Sequence, residues 1–107
     1  MGRQRESNLG SRVDRWLTAQ PDIFFFNVHG HAMQKKGVPD RVGNCGLVAF
    51  YIELKNPGER LKPIQEAIAR KIRRSGGEVA CCESLVEVQD FIQKLRALAL
   101  DGAGFIL

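Results

Sequence analysis

The chain has 107 residues, 44% of them hydrophobic and 26% charged, with a net charge of +4, the balance of an ordinary globular protein with one modest core. No apolar run reaches the roughly 20 residues of a membrane span, and the first residues lead into no signal-type stretch. The expectation is therefore a single domain over 1–107, cytoplasmic and without a membrane partner, whose basic surplus suits a polyanionic partner without requiring one.

Leu9, Val13, Trp16 and Leu17 recur at helical spacing. Ser7 or Asn8 suits the N-cap of this helix, and Pro21 closes the region. Ile23 to Val28 reads as a strand, and His29 through Gly37 as a loop. His29 and His31 could hold a transition metal, contact phosphate or simply hydrogen-bond. A second strand is predicted over Val38 to Gly43, with Pro39 at its start, where proline is tolerated. Asn44 to Gly46 supplies turn chemistry. Leu47 to Leu54 is the strongest strand, and its apolar residues do not alternate, as in a strand covered on both faces.

Asn56-Pro57-Gly58 is a turn. Beyond it, Ile64, Ala67, Ile68 and Ile72 form a helical stripe between Pro63, a good first residue, and the stop at Gly76-Gly77. Val79 to Cys82 is a short strand. Cys45, Cys81 and Cys82 make a poor disulfide framework, offer no CxxC pair for zinc, and read as buried free thiols. Ser84 and Glu87 form a capping box before a last helix with the stripe Leu85, Val88, Ile92, Leu95 and Ala99. The tail from Ala97 to Leu107 could pack back, cover a partner or fray. The order is α-β-β-β-α-β-α. A helical crossover between the last two strands makes them parallel, which gives an α/β fold with a small mixed sheet and flanking helices.

Two residues interrupt the strongest strand. Glu53 and Lys55 stand two apart and so share a face, and charges near the end of a buried strand are costly unless they pair or bind something. A partly exposed ion pair would account for them. Asp40 adds a second reading, because a hairpin through Asn44–Gly46 can bring it alongside Glu53. Two carboxylates and an ammonium then meet at a sheet edge, an oxygen-rich arrangement that Mg²⁺ accepts while keeping several waters.

Asp40, then Glu53-Leu54-Lys55, resembles the PD-(D/E)xK nuclease signature. Pro21-Asp22 is a second Pro-Asp, but it leads into the first strand and lies too far upstream for one hairpin with Glu53. The longer context, Gly37-Val38-Pro39-Asp40-Arg41, Glu53 to Gly58 and Arg60 to Gln65, closely resembles the virus-type replication-repair nuclease (VRR-NUC) domain, over about residues 6 to 95. The resemblance implies a restriction-endonuclease-like core. It implies Asp40, Glu53 and the Leu54 carbonyl as ligands of Mg²⁺ or Mn²⁺, with Lys55 activating a water and Gln65 supporting Lys55 or the water. Glu6 resembles an acidic residue that family members carry at the first helix, which implies a metal-binding role through water; a favourable charge at a helix N-terminus is its other reading. Lys62 stands where the family often has a capping serine, and Gly10 costs the first helix ~1 kcal/mol relative to alanine.

Lys35, Lys36, Arg41, Arg60 and Lys62 flank this site in sequence and are the expected phosphate contacts, a solvated surface being the alternative. Little chain remains for a base-reading element, so recognition of DNA shape is expected. Stand-alone members of the family occur in phage and are thought to cut Holliday junctions as homodimers. A flap or restriction-like endonuclease, or a non-catalytic DNA-binding protein, are the alternatives.

Overall fold

The computed structural model describes residues 2–28 and 36–106, with side chains described over 8–28 and 36–100. The elements run α1 (Gly2–Thr18), β1 (Ile23–Asn27), β2 (Arg41–Cys45), β3 (Val48–Leu54), α2 (Pro63–Arg74), β4 (Glu78–Cys82) and α3 (Leu85–Ile106). The predicted order holds, and the strands lie in the sheet in that same order. β1, β2 and β3 are antiparallel, and β3 and β4 are parallel, as the α2 crossover demands.

One face of the sheet carries the core. Phe50, Ile52 and Leu54 of β3 and Cys82 of β4 turn toward Leu9, Val13 and Leu17 of α1 and Val88, Ile92 and Leu95 of α3. The two helical stripes read from the sequence are therefore both buried here. Phe50 meets the Phe91 ring edge-on, 6.4 Å between centroids at 89°. Gly43 sits between Phe25 and Phe50 in the register. A Cβ there would stand 2.2 Å from the Phe24 carbonyl oxygen and 2.7 Å from the Phe25 Cβ, so only glycine lets β1 and β2 close.

α2 stands alone on the other face, over β3 and β4. Tyr51 is half-buried there, against the end of α2 at Ile72 and Gly77. Ala49, earlier on the same face of β3, is exposed. The third strand is thus covered on both faces only in its second half, where Glu53 lies.

Several boundaries differ from the sequence expectation. α1 begins at Gly2, which places Ser7 and Asn8 inside the helix rather than at its cap. β2 runs from Arg41 to Cys45 because a two-residue loop, Gly46-Leu47, fixes the β2–β3 register; Gly46 takes φ +59°, suited to the first position of such a loop. At the head of α3 the Ser84 hydroxyl accepts from the Glu87 amide at 3.1 Å, while the Glu87 carboxylate reaches one residue past the box to the Glu83 amide at 2.7 Å. The tail from Ala97 continues α3 to Ile106. Among the described residues, no helix is long and apolar enough to cross a membrane.

Candidate active site

The segment ahead of β2 is shaped by α2. Gly37 has φ +85°, and a Cβ on it would lie 2.8 Å from the Ile64 carbonyl oxygen and 2.9 Å from the Ile64 Cγ1. Glycine therefore serves twice here, in its left-handed backbone and in its approach to the first turn of α2. Pro39 is buried and lines a narrow cleft with Glu53, Leu61, Gln65, Arg73 and Cys81 among others. Asp40 follows at the mouth of β2. One step beyond the Arg41–Ile52 pair, the antiparallel register sets it across from Glu53.

The Asp40 carboxylate accepts the Leu54 amide at 3.2 Å, which fixes the acid against the last residue of β3. The next amide, that of Lys55, donates to the Cys82 carbonyl of β4 at 3.0 Å. A trans peptide points its N–H and C=O in opposite directions, so the Leu54 carbonyl turns to the Asp40 side. Glu53 is buried, 7% exposed. Its Oε2 lies 3.8 Å from Lys55 Nζ and accepts from Gln65 Nε2 at 3.4 Å. Burial of this carboxylate is thus offset by an ammonium and an amide donor.

Gln65 is oriented in turn. Its side-chain carbonyl accepts the Lys62 backbone amide at 2.8 Å, so the glutamine caps α2 that a lysine at the cap position leaves uncapped, and the same bond turns its NH₂ toward Glu53. The approach to the helix is equally fixed. The Glu59 amide donates to the Asn56 carbonyl at 3.0 Å across Pro57 and Gly58, whose φ is +88°, as in a type II turn. The Gly58 amide then donates to the Glu83 carboxylate at 3.1 Å.

Asp40, Glu53, Leu54, Lys55 and Gln65 therefore converge. Two carboxylates and a backbone carbonyl form a hard oxygen donor set that fits a divalent cation with several retained waters. Among the described residues no group of three or more His, Cys, Asp and Glu comes together, unlike a closed zinc site. Lys36, Arg60 and Lys62 are exposed. His29, His31 and Lys35 lie outside the described residues, as does the Glu6 side chain.

Arg41 departs from the expected role. It is 9% exposed and faces α1, where Nε donates to Asp14 Oδ1 at 2.6 Å and Nη2 to Oδ2 at 3.2 Å. Asn27, its register partner, also donates to Asp14. A Cβ on Gly10 would stand 3.1 Å from the Arg41 Nη2, so the glycine that weakens α1 also makes room for this fork. Asp22 belongs elsewhere too: its carboxylate takes two 2.9 Å bonds from Arg96 of α3, and that guanidinium lowers its pKa to about 2.

The expectation of three buried thiols fails at Cys81, which is exposed while Cys45 and Cys82 are buried, and the parallel register sets it beside Glu53. The signal is the register, which no single-strand pattern reveals.

The mixed sheet, with Asp40, Glu53 and Lys55 at the ends of its two central strands, has the architecture of the PD-(D/E)xK nuclease core. Residues 3–85 match the VRR-NUC domain, and the chain belongs to that family. A solved structure described as a VRR_NUC domain is similar to it with a TM-score of 0.69 at 18% identity, over 83% of this chain and 95% of that one. No curated protein matches.

Proposed function

We propose that this chain is a Mg²⁺- or Mn²⁺-dependent, structure-selective DNA endonuclease that cuts four-way junctions as a homodimer. The observation that carries the reading is the meeting of Asp40, Glu53 and Lys55, with Gln65 bonded both to Glu53 and to the start of its own helix. Asp40, Glu53 and the Leu54 carbonyl would hold the cation, which would supply the charge to polarise a phosphoryl oxygen and to acidify a water. Lys55, 3.8 Å from Glu53, positions the attacking water and offsets the negative charge that develops at the phosphate. Gln65 keeps the Glu53 carboxylate in one rotamer, so its oxygens meet the cation without reorganisation. Lys36, Arg60 and Lys62 grip the phosphates around the break.

The test is cleavage of four-way junction, flap, single-stranded and plain duplex DNA with Mg²⁺, Mn²⁺ or EDTA. The expected result is junction cutting that is abolished by EDTA, by Asp40→Ala and by Lys55→Ala. Cutting that survives all three sinks the mechanism, and equal cutting of plain duplex sinks the junction preference.

A further inference from the structure

Among the described residues, α2 covers the face that carries the site only over β3 and β4. Beside it, β2 and β1 leave a floor two strands, or about 10 Å, wide. The register arranges this face in rows. Asp40 and Glu53 make one row, Phe26, Val42 and Tyr51 the next, and Phe24, Asn44 and Ala49 the third. Each row lies two residues, or about 7 Å, from the last. Val42 is half-buried, and Asn44 and Ala49 are exposed. Along the β1 side stand two rings open to solvent, Phe24 being 67% exposed and Phe26 55%.

α2 makes the opposite wall, and its two flanks are distinguishable. A Cβ on Gly37, which leads into β2, would touch Ile64 and Ile68, so their stripe faces β2. Arg73 donates to the Val79 carbonyl at 3.4 Å and so lies on the flank toward β4. Lys71 follows Ile68 by three residues and Ile64 by seven, which sets it on the β2 flank, and it is exposed. The result is an open trough with two rings on one side, a cation on the other and an uncharged floor. It runs down the strands to Asp40 and Glu53.

Rings standing on an open sheet face are a platform for nucleobases, which all present a face to stack, while the phosphates seek cations. A purely apolar protein contact would give Lys71 and the exposed Asn44 no part. A duplex hides its base faces, so the strand that fits is an unpaired one. Drawn out to about 7 Å per nucleotide, roughly twice the 3.4 Å rise of a stacked strand, it lays one base on each ring and brings the next phosphate to the site.

We propose that this trough binds an unpaired DNA strand leading into the site, its bases stacked on Phe26 and Phe24 and its backbone against Lys71. The proposal deepens the endonuclease reading, on which the identity of the strand rests. The cut then falls where a strand parts from its duplex at a branch, next to the base held on Phe26.

The experiment is fluorescence anisotropy of the full chain with a labelled oligodeoxythymidylate of about 12 nucleotides, in EDTA so that nothing is cut, and with a duplex of the same length beside it. Phe24→Leu and Phe26→Leu, with unchanged circular dichroism, are each expected to weaken strand binding roughly 5- to 100-fold. Phe26→Tyr should retain it, and duplex binding should change far less. Lys71→Ala should lower the slope of log affinity against log salt by about 0.7. A strand carrying 5-iodouracil, irradiated on the wild type, should cross-link to Phe24 or Phe26, as read by peptide mass spectrometry. Strand binding that is absent, or that both leucine changes leave intact, overturns the proposal, as do equal losses on the duplex or cross-links only to other residues. Leucine variants that alter sedimentation but not strand binding give the rings to a protein contact and also overturn it. The nuclease reading fails separately: a protein that binds the strand through its rings yet cuts no branched DNA with Mg²⁺ or Mn²⁺ faults that reading alone. Cutting of branched DNA by a protein whose rings affect neither binding nor cleavage faults the trough alone.

Discussion

At the residue scale, Gln65 has two partners that pull in different directions experimentally. Removing its side chain takes a donor from Glu53 and a cap from α2. Gln65→Glu keeps an acceptor for the Lys62 amide but sets a second carboxylate against Glu53. Gln65→Ala is expected to lower kcat roughly 10–100-fold, as removal of a ligand's supporting partner does, and to cost ~0.5–2 kcal/mol of stability through its missing cap. Gln65→Glu should keep most of the stability and lose the activity, a split that calorimetry and single-turnover cleavage will read. Asp22 gives the opposite case, a carboxylate that holds structure. Arg96 lowers its pKa from 3.8 to about 2, so its contribution is complete above pH 4 and disappears as the pH falls toward 2. Asp22→Asn should flatten the acid limb of stability between those values, with a loss of only ~0.2–1 kcal/mol at neutral pH because the pair is open to solvent. Titration with a thiol reagent should find Cys81 alone reactive in the native protein, since it is exposed while Cys45 and Cys82 are buried; desolvation raises the pKa of all three thiols and pushes that of Cys82 up to about 12.

At the element scale, close approaches around two glycines set where the site lies. Gly43→Ala forces a Cβ into the Phe24 carbonyl and should cost roughly 1–3 kcal/mol in denaturant unfolding. Gly37→Ala presses on Ile64 instead and displaces α2, so kcat should fall through Gln65 more than stability does. The type and order of all seven elements were legible in the sequence because each helix repeats its apolar stripe and each strand is bounded by turn residues. Asp40, Glu53 and Lys55 were legible as a candidate site from the strand pattern and their spacing, whereas Gln65 came only from the resemblance to the VRR-NUC motif. What was not legible depends on partners distant in the chain. Arg41 beside Asp40 has the sequence of a phosphate contact, but its partner Asp14 is 27 residues upstream on another element. β2 starts later than the apolar residues Val38 and Val42 suggest, because the Gly46-Leu47 loop sets the register. Cys81 reads like the buried thiols because strand composition says nothing about which neighbour lies alongside.

At the scale of the whole molecule, the two faces of the sheet divide the labour. One holds the core between α1 and α3, and the other carries the candidate site, α2 and the exposed Arg60, Lys62, Arg70, Arg73 and Arg74. This separates two kinds of arginine and lysine, and salt should tell them apart. Arg60→Ala/Lys62→Ala is expected to reduce the slope of log binding against log salt by about 2, one for each phosphate no longer gripped. Arg41→Ala should leave that slope unchanged and instead destabilise the protein by about 1–3 kcal/mol, since it strands Asp14 without its fork. Equal slopes for all the variants would place the DNA elsewhere.

The bond from the Leu54 amide to the Asp40 carboxylate also makes the backbone a witness to the chemistry. A proton on a charge-assisted hydrogen bond resonates downfield, and its shift follows the charge on its acceptor. In a nitrogen-15 correlation spectrum, Leu54 should therefore move when magnesium is added. Asp40→Asn should shift the peak once and leave it deaf to the metal. One amide, which takes no part in cleavage itself, would thus report the loading of the site in a protein that is cutting nothing.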